Sequence, residues 1–133
     1  MAQNPSELAV ITKAKELCKY IMIATQKSPK QYRFTFVTRL QNLALSIIEN
    51  LFRANDTFVT RNSQNSYAIR LNFQHKALTD TKILAYFAYL AMEQKCLLPK
   101  QFEQISRLTT DVQNMTGAWI NSDRKRYTMP NGV

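Results

Sequence analysis

The sequence predicts an all-α fold, an antiparallel up-down four-helix bundle with one long loop between helices two and three. Three observations carry that expectation. Apolar residues recur at intervals of three and four through four long segments. Only two glycines, Gly117 and Gly132, occur in 133 residues, too few for a turn-rich sheet fold. The interruptions fall at Ser28-Pro29, in the Asn, Asp, Ser and Thr run after Asn55, and at Leu97-Leu98-Pro99. A chain of this length supports one domain around a single core. The bundle is assigned to residues 1–122 and a basic flexible tail to 123–133.

The first helix starts where Asn4 is suited to cap and Pro5 to occupy the first helical position. Its apolar face is Leu8, Ile11, Ala14, Leu17, Cys18, Ile21 and Met22, and it ends near Thr25 because Pro29 disfavours a helical Ser28. The short connection returns the second helix antiparallel. That helix, Tyr32 to Asn55, carries two apolar seams, Phe34, Val37, Ala44, Ile48 and Leu51 on one and Phe36, Leu40, Leu43, Ile47 and Ala54 on the other. Two seams call for two neighbours. Its narrow polar ridge holds Arg39, Asn42, Ser46, Glu49, Asn50 and Arg53.

The run from Asn55 to Ile69 reads as the long loop, within which Phe58, Val59, Tyr67 and Ile69 could either dock on the bundle or extend the flanking helices. The third helix is expected from Arg70 to Lys95 with Leu71, Phe73, Ala77, Leu78, Thr81, Leu84, Ala85, Phe87, Ala88, Ala91 and Met92 inward. It has apolar residues to spare. Ile83, Tyr86, Leu90 and Leu97, with Tyr89 beside them, form a second stripe outside the core face, a pattern that meets another protein. The fourth helix is expected from Lys100 to Asn121, with Phe102, Ile105, Leu108, Val112, Met115 and Trp119 inward. The last residues, DRKRYTMPNGV, show no periodicity and carry the cluster Arg124, Lys125 and Arg126.

Composition narrows the function. Lys and Arg number 18 against 9 Asp and Glu, for a formal charge of +9, which favours a polyanionic partner. The candidate nucleic-acid-binding residues are Lys13, Lys19, Lys30, Arg33, Arg39, Arg53, Lys76, Lys82, Arg124, Lys125 and Arg126. Without a recognition helix after a tight turn, their contacts would be to phosphates rather than to base edges. Tyr20, Tyr32, Tyr86 and Tyr89 are candidates for stacking on unpaired bases, though helix-edge tyrosines more often pack.

Catalysis lacks parts. His75 is the only histidine, no serine or cysteine has a nucleophile context, and no Glu-x-x-His pair supplies a bundle metal site. The expectation is no enzyme, no cofactor and no metal. Cys18 and Cys96 lie far apart and read as reduced, partly buried thiols. No signal peptide or apolar span is present, which points to a cytoplasmic protein without a membrane partner.

The segments KAKELCKYI, SPKQYRFTFVTRLQNLALSIIENLFRAN, DTKILAYFAYLAM and QFEQISRLTTDVQNMTGAWINS resemble the bundle family of the accessory variability determinant of diversity-generating retroelements. That family includes proteins encoded in rRNA intervening sequences. The likeness covers nearly the whole chain, and Gly117-Ala118-Trp119-Ile120 is its most family-like short piece. It implies a basic homopentamer that binds RNA or DNA and a reverse transcriptase, supporting template-RNA-primed cDNA synthesis while the polymerase does the chemistry. The alternative is a structural or interaction bundle of the intervening-sequence type that docks a protein partner without a retroelement.

Overall fold

The computed structural model of the protein describes residues 5–60 and 64–128, with side chains over 9–60 and 65–128. Four α-helices follow one another: α1 (Pro5–Thr25), α2 (Thr38–Asp56), α3 (Gln64–Glu93) and α4 (Pro99–Thr128), with no strand among the described residues. Each packs on its neighbours in the chain, and α1 closes the ring against α4. The α1–α2 and α3–α4 connections meet at one end, where Ser28 Oγ donates to the Cys96 carbonyl at 2.8 Å and Tyr32 Oη to the Gln94 carbonyl at 2.8 Å. This is the expected up-down-up-down bundle.

The centre of the core follows an alternation of three and four, with Cys18, Thr25, Leu43 and Leu108 buried beside it. The positions on that seam are Val10, Ala14, Leu17, Ile21 and Ala24 on α1, and Leu40, Ala44, Ile47, Leu51 and Ala54 on α2. On α3 they are Arg70, Gln74, Ala77, Thr81, Leu84, Ala88 and Ala91, and on α4 Ile105, Thr109, Val112, Thr116, Trp119 and Asp123. A 3.5-residue repeat keeps one stripe facing its neighbours only if the helices coil left-handedly around each other. Each fully buried Leu, Ile or Val contributes about 1.5–3 kcal/mol. The small residues of the α3 stripe let α2 and α4 approach it closely. Two of the buried threonines return their hydroxyls to their own helix: Thr25 to Ile21 O at 2.7 Å and Thr109 to Ile105 O at 2.6 Å.

The structure departs from the sequence expectations in several places. The second helix does not run unbroken from Tyr32. Lys30–Tyr32 is a 3₁₀ turn and Arg33–Val37 a π-helical turn, in which the Thr38 amide and hydroxyl both donate to the Arg33 carbonyl. Phe34, Phe36 and the β-branched Thr35, Val37 and Thr38 are weak α formers. The wide turn lets Tyr32 and Phe36 meet at a tilt, ring centroids 5.9 Å apart, while Tyr32 reaches Gln94. Phe34, assigned to a seam, is instead 84% exposed. The third helix begins at Gln64 rather than Arg70, so Tyr67 and Ile69 are helical and the long loop is shorter than expected.

The tail is also different. Asp123 to Thr128 continue α4, because Asp123 is buried and paired across the bundle. Leu97 does not extend the outer stripe of α3. The helix stops at Glu93, and Lys95 adopts φ 65°, the left-handed position of a Schellman cap, with Cys96 N donating to Ala91 O at 2.8 Å and Lys95 N to Met92 O at 3.0 Å. That reversal folds Leu97 back over the core at 2% exposure. The Asn4 cap, the Leu8 side chain and residues 129–133 of the tail lie outside the described residues.

Candidate nucleic-acid interface

The basic residues singled out from the sequence occupy every side of the bundle. Lys13 is half-buried between Glu16 at 3.4 Å and Asp111 at 3.8 Å, so its charge is largely met within the chain. Arg53 is held by Glu49 at 2.9 Å and lies 6.0 Å from the Phe73 ring. Lys76, one turn from Phe73 on α3, sits 5.4 Å over the same ring. Arg39 stacks 5.0 Å from the Phe87 ring. Lys19 and Lys82 are exposed on α1 and α3. Arg124, Lys125 and Arg126 project from the last turns of α4, with Arg124 on Asn121 at 3.1 Å and Arg126 3.7 Å from Asp123.

The antiparallel topology brings one group together. The two connections that meet at one end expose Lys27, Lys30 and Arg33 from one side and Lys95 and Lys100 from the other. The bonds from Ser28 and Tyr32 to the second connection hold them as one surface, and Gln101 completes it by accepting from Leu98 N at 2.9 Å. Lys27 and Lys95 follow helix C-termini, where cations also complement the macrodipole. Lys30 and Arg33 were legible as candidates. Lys27, Lys95 and Lys100 were not, since residues so distant in sequence become neighbours only when the bundle closes.

A second feature lies at the opposite end. Arg70 and Asp123 form a buried ion pair, Nε to Oδ2 at 2.7 Å and Nη2 to Oδ1 at 3.2 Å, with Gln74 Nε2 also donating to Oδ2 at 2.9 Å. The guanidinium lies 5.0 Å from the Trp119 ring and 5.9 Å from that of Tyr127. Burial and the Asp123 carboxylate push the Tyr67 hydroxyl up from its ordinary value, against a smaller pull from Arg124. The signal in the sequence was Asp123 falling four residues after Trp119, in step with the α4 seam. It reads as a tail residue until Arg70 is seen opposite.

The outer face of α3 presents Tyr86 at 63% and Tyr89 at 43% exposure, with Leu90 half-buried. Tyr89 meets Phe102 edge-on at 5.9 Å, and a hydrogen bond with Glu93 raises its hydroxyl pKa. Ile83 is partly buried against the chain's own core, and Leu97 is fully inside, so the outer stripe is narrower than expected. Between α2 and α3, a polar groove runs along Ser46, Asn50, Asn72, His75, Lys76 and Asp80. Asp80 Oδ2 accepts from Ser46 Oγ at 2.7 Å and from Asn50 Nδ2 at 3.2 Å, which ties the ridge of α2 to α3. Among the described residues no group of three or more His, Cys, Asp and Glu is placed to hold a metal ion, and no helix is long and apolar enough to cross a membrane.

No protein-family model matches the chain, and no curated protein matches it in sequence. A solved structure does match in shape: a protein of unknown function from the S23 ribosomal protein family of Bacteroides thetaiotaomicron, with a TM-score of 0.73 and 18% identity. The match covers 87% of this chain and 98% of that one, so the whole bundle is shared. At that identity, the likeness is one of fold.

Proposed function

We propose that this bundle is a non-enzymatic accessory protein of a diversity-generating retroelement, working in the cytoplasm, where it binds template RNA and assists the reverse transcriptase in mutagenic cDNA synthesis. The observation that supports it is the basic surface at the connection end, where Lys27, Lys30, Arg33, Lys95 and Lys100 converge from two segments distant in sequence. A surface of this kind neutralises phosphates without reading sequence. The exposed Tyr86 and Tyr89, with Leu90, are offered for assembly into a homo-oligomer, a pentamer in the resemblance.

The test is RNA affinity against salt. Release of counterions from several phosphates makes log K fall linearly with log salt, by about 0.7 per phosphate contacted on a single strand. Charge reversal of Lys30 and Lys95 reduces that slope, and a slope near zero for the parent protein would overturn the reading. The polymerase half is tested separately. A reverse transcriptase retained by the bundle after nuclease treatment supports direct protein contact.

The second reading is a structural or interaction bundle of the rRNA intervening-sequence type that docks a protein partner without a retroelement. The ribosomal family of the structural neighbour favours it. A neighbouring reverse transcriptase gene with paired near-identical repeats separates the two, since only the first reading requires them.

A further inference from the structure

The π-helical turn makes a site that the basic surface alone does not explain. Phe34, Thr35, Phe36, Arg39, Phe87 and Leu90 line one groove between that turn and α3. Phe34 stands at its edge with 84% of its surface exposed, more than any other large apolar side chain among the described residues. A phenyl ring so placed loses most of the favourable burial that such side chains normally obtain. Floppiness does not account for the exposure. The backbone under it is held by Thr38 Oγ donating to Arg33 O, and Tyr32 is fixed both to Gln94 O and against Phe36. A π turn inside a helix costs regular hydrogen bonding and often marks a functional position.

Arg39 is the charged residue that lines the groove, its guanidinium 5.0 Å from the Phe87 ring, whereas Arg33 and Lys30 line a separate groove beside α1. No carboxylate lines the groove, and Glu93, one turn beyond Leu90, is engaged by the Tyr89 hydroxyl. A flat exposed ring, an apolar slot and a guanidinium beside them are the parts that unpaired bases and their phosphates require. A duplex, with its bases stacked inside, presents nothing to Phe34.

We infer that the groove between the π turn and α3 holds single-stranded RNA, with one base stacked on Phe34 and the phosphate beside it met by Arg39. This rests on the RNA-binding reading above and specifies it: the bundle prefers unpaired RNA, and the preference resides in one aromatic residue. Stacking of one base on an aromatic side chain is sequence-tolerant, so the site selects strandedness rather than sequence.

The experiment measures fluorescence anisotropy of a labelled single-stranded oligoribonucleotide and of a hairpin duplex of the same length, with the parent protein, Phe34→Ala and Phe34→Trp. Because Phe34 is exposed, both variants should melt as the parent does. Phe34→Ala is expected to weaken single-strand binding roughly 5- to 100-fold while leaving duplex binding and the salt slope unchanged, and Phe34→Trp to restore it. Parent-like single-strand affinity of Phe34→Ala would overturn the inference and leave the RNA-binding reading intact. Failure of the parent protein to bind either RNA would remove both. A change in mass by light scattering for Phe34→Ala, with RNA affinity untouched, would assign the groove to protein contact and overturn the inference.

Discussion

Removing the carboxylate of Asp123 should do more damage than any surface substitution, and the structure indicates how much. Asp123 is 0% exposed and Arg70 has a side-chain exposure of 7%, so neither ion has bulk water to fall back on. Both carboxylate oxygens are used by the guanidinium, and one also accepts from Gln74. Asp123→Ala leaves a desolvated cation and an unpaired amide. Breaking a buried pair in this way costs about 3–5 kcal/mol. For a domain of this size that is about 10–20 °C in Tm. The partner experiment replaces all three side chains of the cluster together, Arg70→Met with Gln74→Leu and Asp123→Leu. Buried ion pairs replaced by well-packed apolar residues are neutral or stabilising by about 1–4 kcal/mol, so the triple variant should recover parental stability or exceed it. Urea denaturation followed by circular dichroism measures both. A loss below about 1 kcal/mol for Asp123→Ala, the range of solvated pairs, would show that water reaches the site and refute the reasoning.

Further outcomes follow from other parts of the bundle. Tyr86→Glu together with Leu90→Glu puts charge on the exposed face of α3 and should reduce an assembled protein to monomer by light scattering; unchanged mass would place the assembly surface elsewhere. Lys95→Gly should raise stability by up to about 1 kcal/mol in thermal melts, because the 65° φ of the Schellman cap is strained for lysine and free for glycine. Burial pushes the Cys18 and Cys96 thiols above their ordinary value of 9.0, the Cys96 shift being opposed in part by a bond with Ser28. The unfolded chain then loses these protons at lower pH than the folded one. Their contribution is intact below pH 9.0 and lost as pH rises through the folded pKa, so the urea midpoint should fall above pH 9.0 and Cys18→Ala should flatten that fall.

Helix existence and many of the inward residues were legible in the sequence because both depend on local spacing. On α3, however, the buried Arg70 and Gln74 were not among the residues expected inward, and Leu71, Phe73, Leu78, Ala85, Phe87 and Met92 are only half-buried. Ala14, Leu17 and Ile21 on α1, Leu40, Ala44 and Ile47 on α2, and Ile105, Val112 and Trp119 on α4 are buried where their intervals of three and four place them. Charge and the scarcity of glycine were equally plain. Four features needed the closed bundle. Asp123 is helical and buried because its partner stands 53 positions earlier, a distance no local pattern spans. Leu97 turns inward because the chain reverses at Lys95, where extrapolation of a helical stripe loses its meaning. Phe34 turns outward because the π turn breaks the register that would have carried it into a seam. Lys27, Lys30, Arg33, Lys95 and Lys100 become one basic surface because antiparallel packing brings the two connections to the same end. Periodicity is a property of neighbours in the chain, so the sequence alone determined the helices. Juxtaposition is a property of neighbours in space, and only the tertiary structure decided where the charge and the exposed ring converge.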